Sequence, residues 1–229
     1  MQDTSDKSLR IQDSKAEQQL ARFMDEFFYS KLGIPFLRVK DKDMQLKGVD
    51  VILGQSEKKI DEKASLYYSN AMIPTFVFEL DFICNGKSHI GWYLNEELLT
   101  DYYMLIWPNI RDEYNPTLKK WVRREIQDIS AYDFTVIEAM LIDRKKVKNE
   151  LDKRTLNTAH LSRYVELIRK GIDRKEYSIG KQIDDDVKIM ISERLNEKPI
   201  NLVINKRLLH GVADRVYLIS KDGYANIKQ

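Results

Sequence analysis

The sequence predicts one α+β (α/β) domain built on a central mixed β-sheet flanked by helices, and three observations carry that prediction. Apolar side chains repeat at helical spacing from Ser14 to Phe28. Short runs rich in β-branched and aromatic residues follow from Val49 to Trp107, bounded by Gly, Asn and Pro. Charged helical patterning then appears at Arg144, and apolar strands close the chain. No repeat, low-complexity segment or Pro/Gly linker divides the 229 residues, so a single domain is the economical reading.

Taken in order, residues 1 to 12 are polar and expected to fray. Ser14 and Glu17 match the capping-box pattern S-x-x-E at the start of a helix carrying Leu20, Phe23, Met24, Phe27 and Phe28, which Gly33 and Pro35 end. At roughly 100° per residue, Glu17 falls on the edge of that apolar stripe. It is either a capping carboxylate or an acid aimed at the sheet beneath. Residues 38 to 42 form a charged, hairpin-like segment, and Gly48 permits a bend before a strand at 49–53. Strands are expected at 60–65, 75–82, 89–94 and 102–107, the third and fourth joined through Asn85-Gly86. Residues 134–142 begin with β-branched side chains and favour a strand. Helices are expected at 144–153 and from Asn157 or Thr158 to Gly171, and strands at 201–204 and 212–220.

Charge is balanced at a formal +2, so contact with nucleic acid would have to come from local patches. One cysteine, Cys84, excludes an internal disulfide framework and a cysteine-rich zinc site. The polar N-terminus lacks the apolar core of a signal peptide, and no run reaches the ~18 apolar residues of a membrane span. A cytoplasmic protein without membrane association is expected.

The chemistry concentrates in two neighbouring apolar strands. Asp50 interrupts Val49-Asp50-Val51-Ile52-Leu53, and Ile60-Asp61-Glu62-Lys63-Ala64-Ser65 follows a short turn. A carboxylate inside such a strand must be paired, hydrogen-bonded or holding a metal. Alternation places Asp61, Lys63 and Ser65 on one face and Ile60, Glu62 and Ala64 on the other, so Asp61 with Lys63 is the pair that faces Asp50. Phosphodiester hydrolysis needs a divalent cation held by one or two carboxylates, and a lysine can stabilise the charge that develops. The same residues would also serve as a buried Asp–Lys ion pair, or as charges on an exposed edge strand.

The leading helix with its inward glutamate, then Gly48-Val49-Asp50-Val51-Ile52-Leu53, then Ile60-Asp61-Glu62-Lys63, resembles the PD-(D/E)xK, or restriction-endonuclease-like, nuclease superfamily. The resemblance covers residues 14–82. It implies a single restriction-endonuclease-like domain over 1–229, with further strands and helices in 83–229. It also implies a Mg²⁺- (or Mn²⁺-) dependent nuclease that hydrolyses DNA. Asp50, Asp61 and Glu17 would be metal ligands, Lys63 would act with them in catalysis, and a homodimer would be one working form. Members that have lost activity supply the alternative, a non-catalytic descendant that binds nucleic acid or protein. Val49, not proline, precedes Asp50, and no Q-x-x-x-Y helix follows Lys63. Glu62 would replace Asp61 as a ligand if the register shifted by one.

Other groups are candidates too. Glu79 and Asp81 share a face of their strand, as further acids of the site or as a solvated face. The aromatics from Trp92 to Trp107 would stack bases if exposed, or fill the core. Lys119, Lys120, Arg123 and Arg124 around Trp121, and Arg144, Lys145, Lys146 and Lys148, are either phosphate contacts or solvated faces diluted by nearby acids. His89, His160 and His210 form no ligand pattern, and glycine-loop and nucleophile-elbow motifs are missing from the sequence.

Overall fold

The run at 102–110 is apolar on both faces because it lies between two layers. In the computed structural model, which describes residues 4–228 and side chains from Lys15 onward, Tyr103, Leu105 and Trp107 enter one hydrophobic cluster. Met104, Ile106 and Ile110 enter a second cluster on the opposite face. This strand, β6 (Tyr102–Ile110), sits at the centre of a seven-stranded mixed sheet ordered β1-β2-β3-β6-β9-β13-β14. Its other members are β1 (Phe36–Arg38), β2 (Val51–Leu53), β3 (Lys58–Ala64), β9 (Phe134–Asp143), β13 (Arg215–Ser220) and β14 (Gly223–Asn226). Only β3 and β6 pair in parallel; every other neighbour is antiparallel.

Helix α1 (Thr4–Phe27) covers one face of this sheet with Ala16, Leu20, Phe23 and Met24. It begins ten residues before Ser14, so the expected cap at Ser14 and the expected fraying of residues 4–12 both give way to continuous helix. The reason is small energies: serine inside a helix costs only a few tenths of a kcal/mol, and nothing between Thr4 and Ser14 is Gly or Pro. The charged segment at 38–42 is not a hairpin: Arg38 ends β1, residues 39–41 are irregular, and Lys42 begins a short helix. Asp41 caps α2 (Lys42–Leu46) by accepting from the Met44 N–H at 2.8 Å.

The expected third and fourth strands leave the first sheet altogether. β4 (Thr75–Cys84) and β5 (Lys87–Ile90) belong to a second, antiparallel sheet ordered β10-β11-β12-β4-β5, with β10 (Lys181–Asp184), β11 (Val187–Ile191) and β12 (Ile200–Asn205). A single sheet is therefore corrected to two, and the run at 89–94 to a strand at 87–90. The connection after β3 turns through a 3₁₀ helix at Leu66–Tyr68 and left-handed Asn70 and Met72, which redirects the chain. Phe76, Phe78 and Leu80 then pack back against Tyr103 and Leu105 across the layer. Strand patterning says which face is apolar, but not which of two sheets will cover it.

Helices α3 (Arg144–Lys153), α4 (Thr158–Arg169) and α6 (Lys206–Val212) close the cluster that holds Tyr103, Leu105 and Trp107, through Val147, Leu151, Leu161, Ile168, Leu208 and Leu209. Asn157 caps α4, as its sequence position suggests. The segment expected as strand from 212 begins as the end of α6, and β13 starts at Arg215. Helix α5 (Arg174–Ile179) leads into β10. A separate hairpin, β7 (Asp112–Asn115) and β8 (Lys120–Arg123), projects after β6. Among the described residues, no helix is long and apolar enough to cross a membrane.

Gly91 ends β5 at a close approach: a Cβ there would lie 2.4 Å from the Glu79 carbonyl oxygen. Gly91→Ala should therefore lose about 1–3 kcal/mol of stability through forced backbone movement. Gly211→Ala, with nothing within 4 Å of its added carbon, should lose none. Urea unfolding of the two variants beside the parent chain reads the difference.

Candidate active site

The β2–β3 ladder pairs Val51 with Ile60, which sets Asp50 against Asp61 at the end of the hairpin. Asp50 lies one residue before β2, but the ladder continues through it. Its N–H donates to the Ile60 carbonyl and its carbonyl accepts from the Val39 N–H, both at 2.9 Å. Its Oδ2 accepts the Glu62 N–H at 2.8 Å. Asp61 is 1% exposed, and its Oδ1 is ion-paired with the Lys63 ammonium. Tyr103, its partner on β6, and Thr100 help seal it from solvent. The expected bend at Gly48 is present, with φ at +72°. A Cβ there would meet Thr100 Oγ1 at 2.4 Å and Asp61 Oδ2 at 3.4 Å. Glycine thus lets the backbone close over the buried acid, while Thr100 donates to the Gly48 carbonyl at 2.7 Å.

Charge follows from this burial. Desolvation, and then the neighbouring Asp61 charge, push the Asp50 carboxyl up to about 6, against the opposing pull of Lys63 and the Glu62 N–H. Burial would depress the Lys63 ammonium, but Asp61, Asp50 and, more weakly, Glu17 together hold it above the ordinary lysine value. All four predicted residues are thus electrostatically coupled. Glu17 is exposed, not tucked at the buried edge of α1, and stands at the rim of a cleft of about 690 Å³ that Asp50 and Lys63 also line. Trp92 forms part of the same wall, with the Lys63 ammonium 5.3 Å from its ring centroid.

Glu62 is committed elsewhere. Arg38 ion-pairs with it and with Asp25 of α1, and the Tyr29 hydroxyl donates to it at 2.8 Å. The one-residue register shift that would make it the ligand in place of Asp61 is not seen. Glu79 and Asp81 part company despite sharing strand parity. Asp81 is buried against Arg169, whose Nε donates at 2.6 Å, and Ser88. Glu79 is pushed up to about 7 by burial and then by Glu197, while the Lys63 charge pulls it down, which places it in electrical reach of the lysine.

The aromatic run from Trp92 to Trp107 is mostly core. Tyr93, Tyr103 and Trp107 are buried, with Phe78 edge-on to the first two and Phe76 edge-on to the third. Arg144 binds the carbonyls of Asn95 and Leu98, while Lys146 and Lys148 pair with Asp214 and Glu96, so that cluster holds a loop and a helix in place. His89, His160 and His210 lie on β5, α4 and α6 and do not meet at this cleft.

The sequence gives no local signal for Arg38 or Thr100, which reach the site from elements that are distant in the chain, and marks Trp92 only as one of a run of aromatics. Among the described residues, no three His, Cys, Asp or Glu side chains gather as a ready metal cluster. The donor set nevertheless fits a hard cation. Asp61 Oδ2 is buried without a hydrogen-bond partner, and beside it stands a second carboxyl, Asp50, pushed up to about 6 and so mostly ionised at neutral pH. Two acids against one lysine leave a net negative site, and Mg²⁺ commonly uses one or two carboxylates plus water.

Because the folded-state value of Asp50 lies above the unfolded one, the folded protein binds its proton more tightly. This contribution to stability is full below about pH 4 and is lost as pH rises through about 6. Asp50→Asn should therefore gain on the parent chain by about 2–3 kcal/mol between pH 4 and pH 7.5. Urea titrations of both proteins at the two pH values give that difference directly. Comparison with protein-family models, with curated proteins and with solved structures found no match to this chain.

Proposed function

We propose that the chain is a metal-dependent nuclease of the restriction-endonuclease-like class that hydrolyses DNA phosphodiester bonds. The observation that carries this reading is that Asp50 and Lys63 line one cleft with Glu17 at the rim, while Asp61, buried directly behind them and ion-paired with Lys63, keeps one carboxylate oxygen without a hydrogen-bond partner. Asp50 and Asp61 would hold one or two Mg²⁺ or Mn²⁺, and Glu17 would contribute directly or through water. The cation would supply polarisation of the phosphate and a more acidic water. Lys63, drawn to Asp61 and stacked over Trp92, keeps its charge at any pH near neutrality. It would stabilise negative charge developing on the phosphate oxygens, in a half-buried setting where such a contact is stronger than in water. Asp50, near 6, would be deprotonated and ready to bind a cation only toward neutral pH, so activity should rise from pH 5 to 7.5.

One observation favours a second reading. Lys63 is already paired with a buried acid, as a purely structural Asp–Lys bridge would be. The two readings differ in what they need from Asp50, which a structural bridge does not require to bind metal.

On the nuclease reading, the parent chain should cleave plasmid and linear DNA with Mg²⁺ or Mn²⁺, and Asp61→Ala and Lys63→Ala should each lose at least a hundredfold. Calorimetric titration with Mn²⁺ should show binding that Asp50→Ala removes. Equal cleavage by all three proteins, or no Mn²⁺ binding by the parent, sinks the assignment and leaves the structural bridge.

A further inference from the structure

The hairpin of β7 and β8 carries two large rings that the core does not use. Tyr114 and Trp121 are 53% and 68% exposed and meet edge to face with centroids 5.8 Å apart. The register Asp112↔Arg123 and Tyr114↔Trp121, read with strand alternation, puts these four residues on one face. Two of them contact the segment that follows β3. Arg123 donates to the Tyr67 carbonyl at 2.6 Å, and Asn70 donates to Asp112 at 3.1 Å. Tyr67 and Tyr68 line the cleft and are themselves about half exposed. The ringed face of the hairpin therefore continues from the cleft mouth. On the opposite face Arg124 pairs with Glu113 and Asp133.

Charge at the tip is of one sign. Lys119 and Lys120 are exposed and have no acidic partner among the described residues; alternation turns Lys120 to the face away from the rings, and Arg123 stands on theirs. Exposed rings flanked by unpaired cations match the chemistry of unpaired nucleotides, whose bases stack while their phosphates attract lysine. Bases inside a duplex offer no free face to such rings.

We propose that this hairpin grips single-stranded nucleic acid and leads it to the cleft, so that the substrate carries an unpaired arm. The binding stands on the hairpin alone; its link to cleavage rests on the nuclease reading above. The test uses the full chain in EDTA, with a fluorescein-labelled 20-nucleotide oligothymidylate and a blunt duplex of the same length as probes. The parent chain should bind the single strand more tightly than the duplex, with tryptophan quenching that Trp121→Ala removes. Trp121→Ala with Tyr114→Ala should weaken binding about ten- to a hundredfold, the loss expected from one or two base–ring stacks. Lys119→Ala with Lys120→Ala should flatten the salt dependence of binding. All four positions are exposed, and matching circular dichroism with the parent confirms folding. Preference for duplex, or single-strand affinity unchanged in the ring variants, overturns the proposal. Those variants cleaving DNA normally while Asp61→Ala does not would defeat the hairpin's role and leave the nuclease reading intact. Single-strand binding that depends on the rings, in a chain that cleaves nothing, would do the reverse.

Discussion

A strand buried on both faces has no water in which to leave a charge, and β3 carries three consecutive ionisable residues. Everything around it answers that constraint. Toward α1, Glu62 is met by Arg38 and the Tyr29 hydroxyl, and Arg38 in turn ties Asp25 of the helix to the sheet. Toward the second sheet, Asp61 is ion-paired with Lys63 at one of its two oxygens and lies against the neighbouring carboxyl of Asp50. The two sides differ in completeness. One network uses both oxygens of its acid, whereas the other leaves an Asp61 oxygen unpartnered behind Asp50, which lines the cleft. An unpaired polar atom in a low-dielectric setting is costly, so a fold that keeps one has either a ligand for it or a reason to tolerate strain.

The candidate site was legible in the sequence because its signal is local. Asp50, Asp61 and Lys63 lie on one hairpin, and strand parity alone separates Asp61 and Lys63 from Glu62. Glu17 was found from helix phase, although it stands at the rim rather than at the buried edge. The elements were legible for similar reasons: β9 from its β-branched start, α4 from its Asn157 cap, and β6 from its apolar run at 102–107, although the strand continues through Pro108 to Ile110.

The layers were not legible. TFVFELDF (Thr75–Phe82) alternates in the same way whether it joins β3 or crosses to another sheet, and the choice is made by ten connecting residues and by Tyr103 and Leu105, which lie further along the chain. Helix α1 was placed ten residues too late because a capping motif and a mid-helix serine differ by less than the energy of one good packing contact. Glu79 and Asp81 share parity but not fate, since Arg169, on a helix some ninety residues away, takes only Asp81.

The route of the chain between the two sheets has one more implication. It builds part of the first sheet at 36–64, moves to the second at 75–90, returns at 102–143, leaves again at 181–205 and finishes in the first at 215–226. No contiguous half of the polypeptide holds a complete sheet. The parallel contact of β3 with β6 cannot close until the β4–β5 hairpin has been laid aside, and β4 gains its inner neighbour β12 only after more than a hundred further residues are made. Such interleaving couples the sheets into one cooperative unit and gives the chain a high contact order. A ribosome releasing this protein must therefore expose most of it before either sheet is whole.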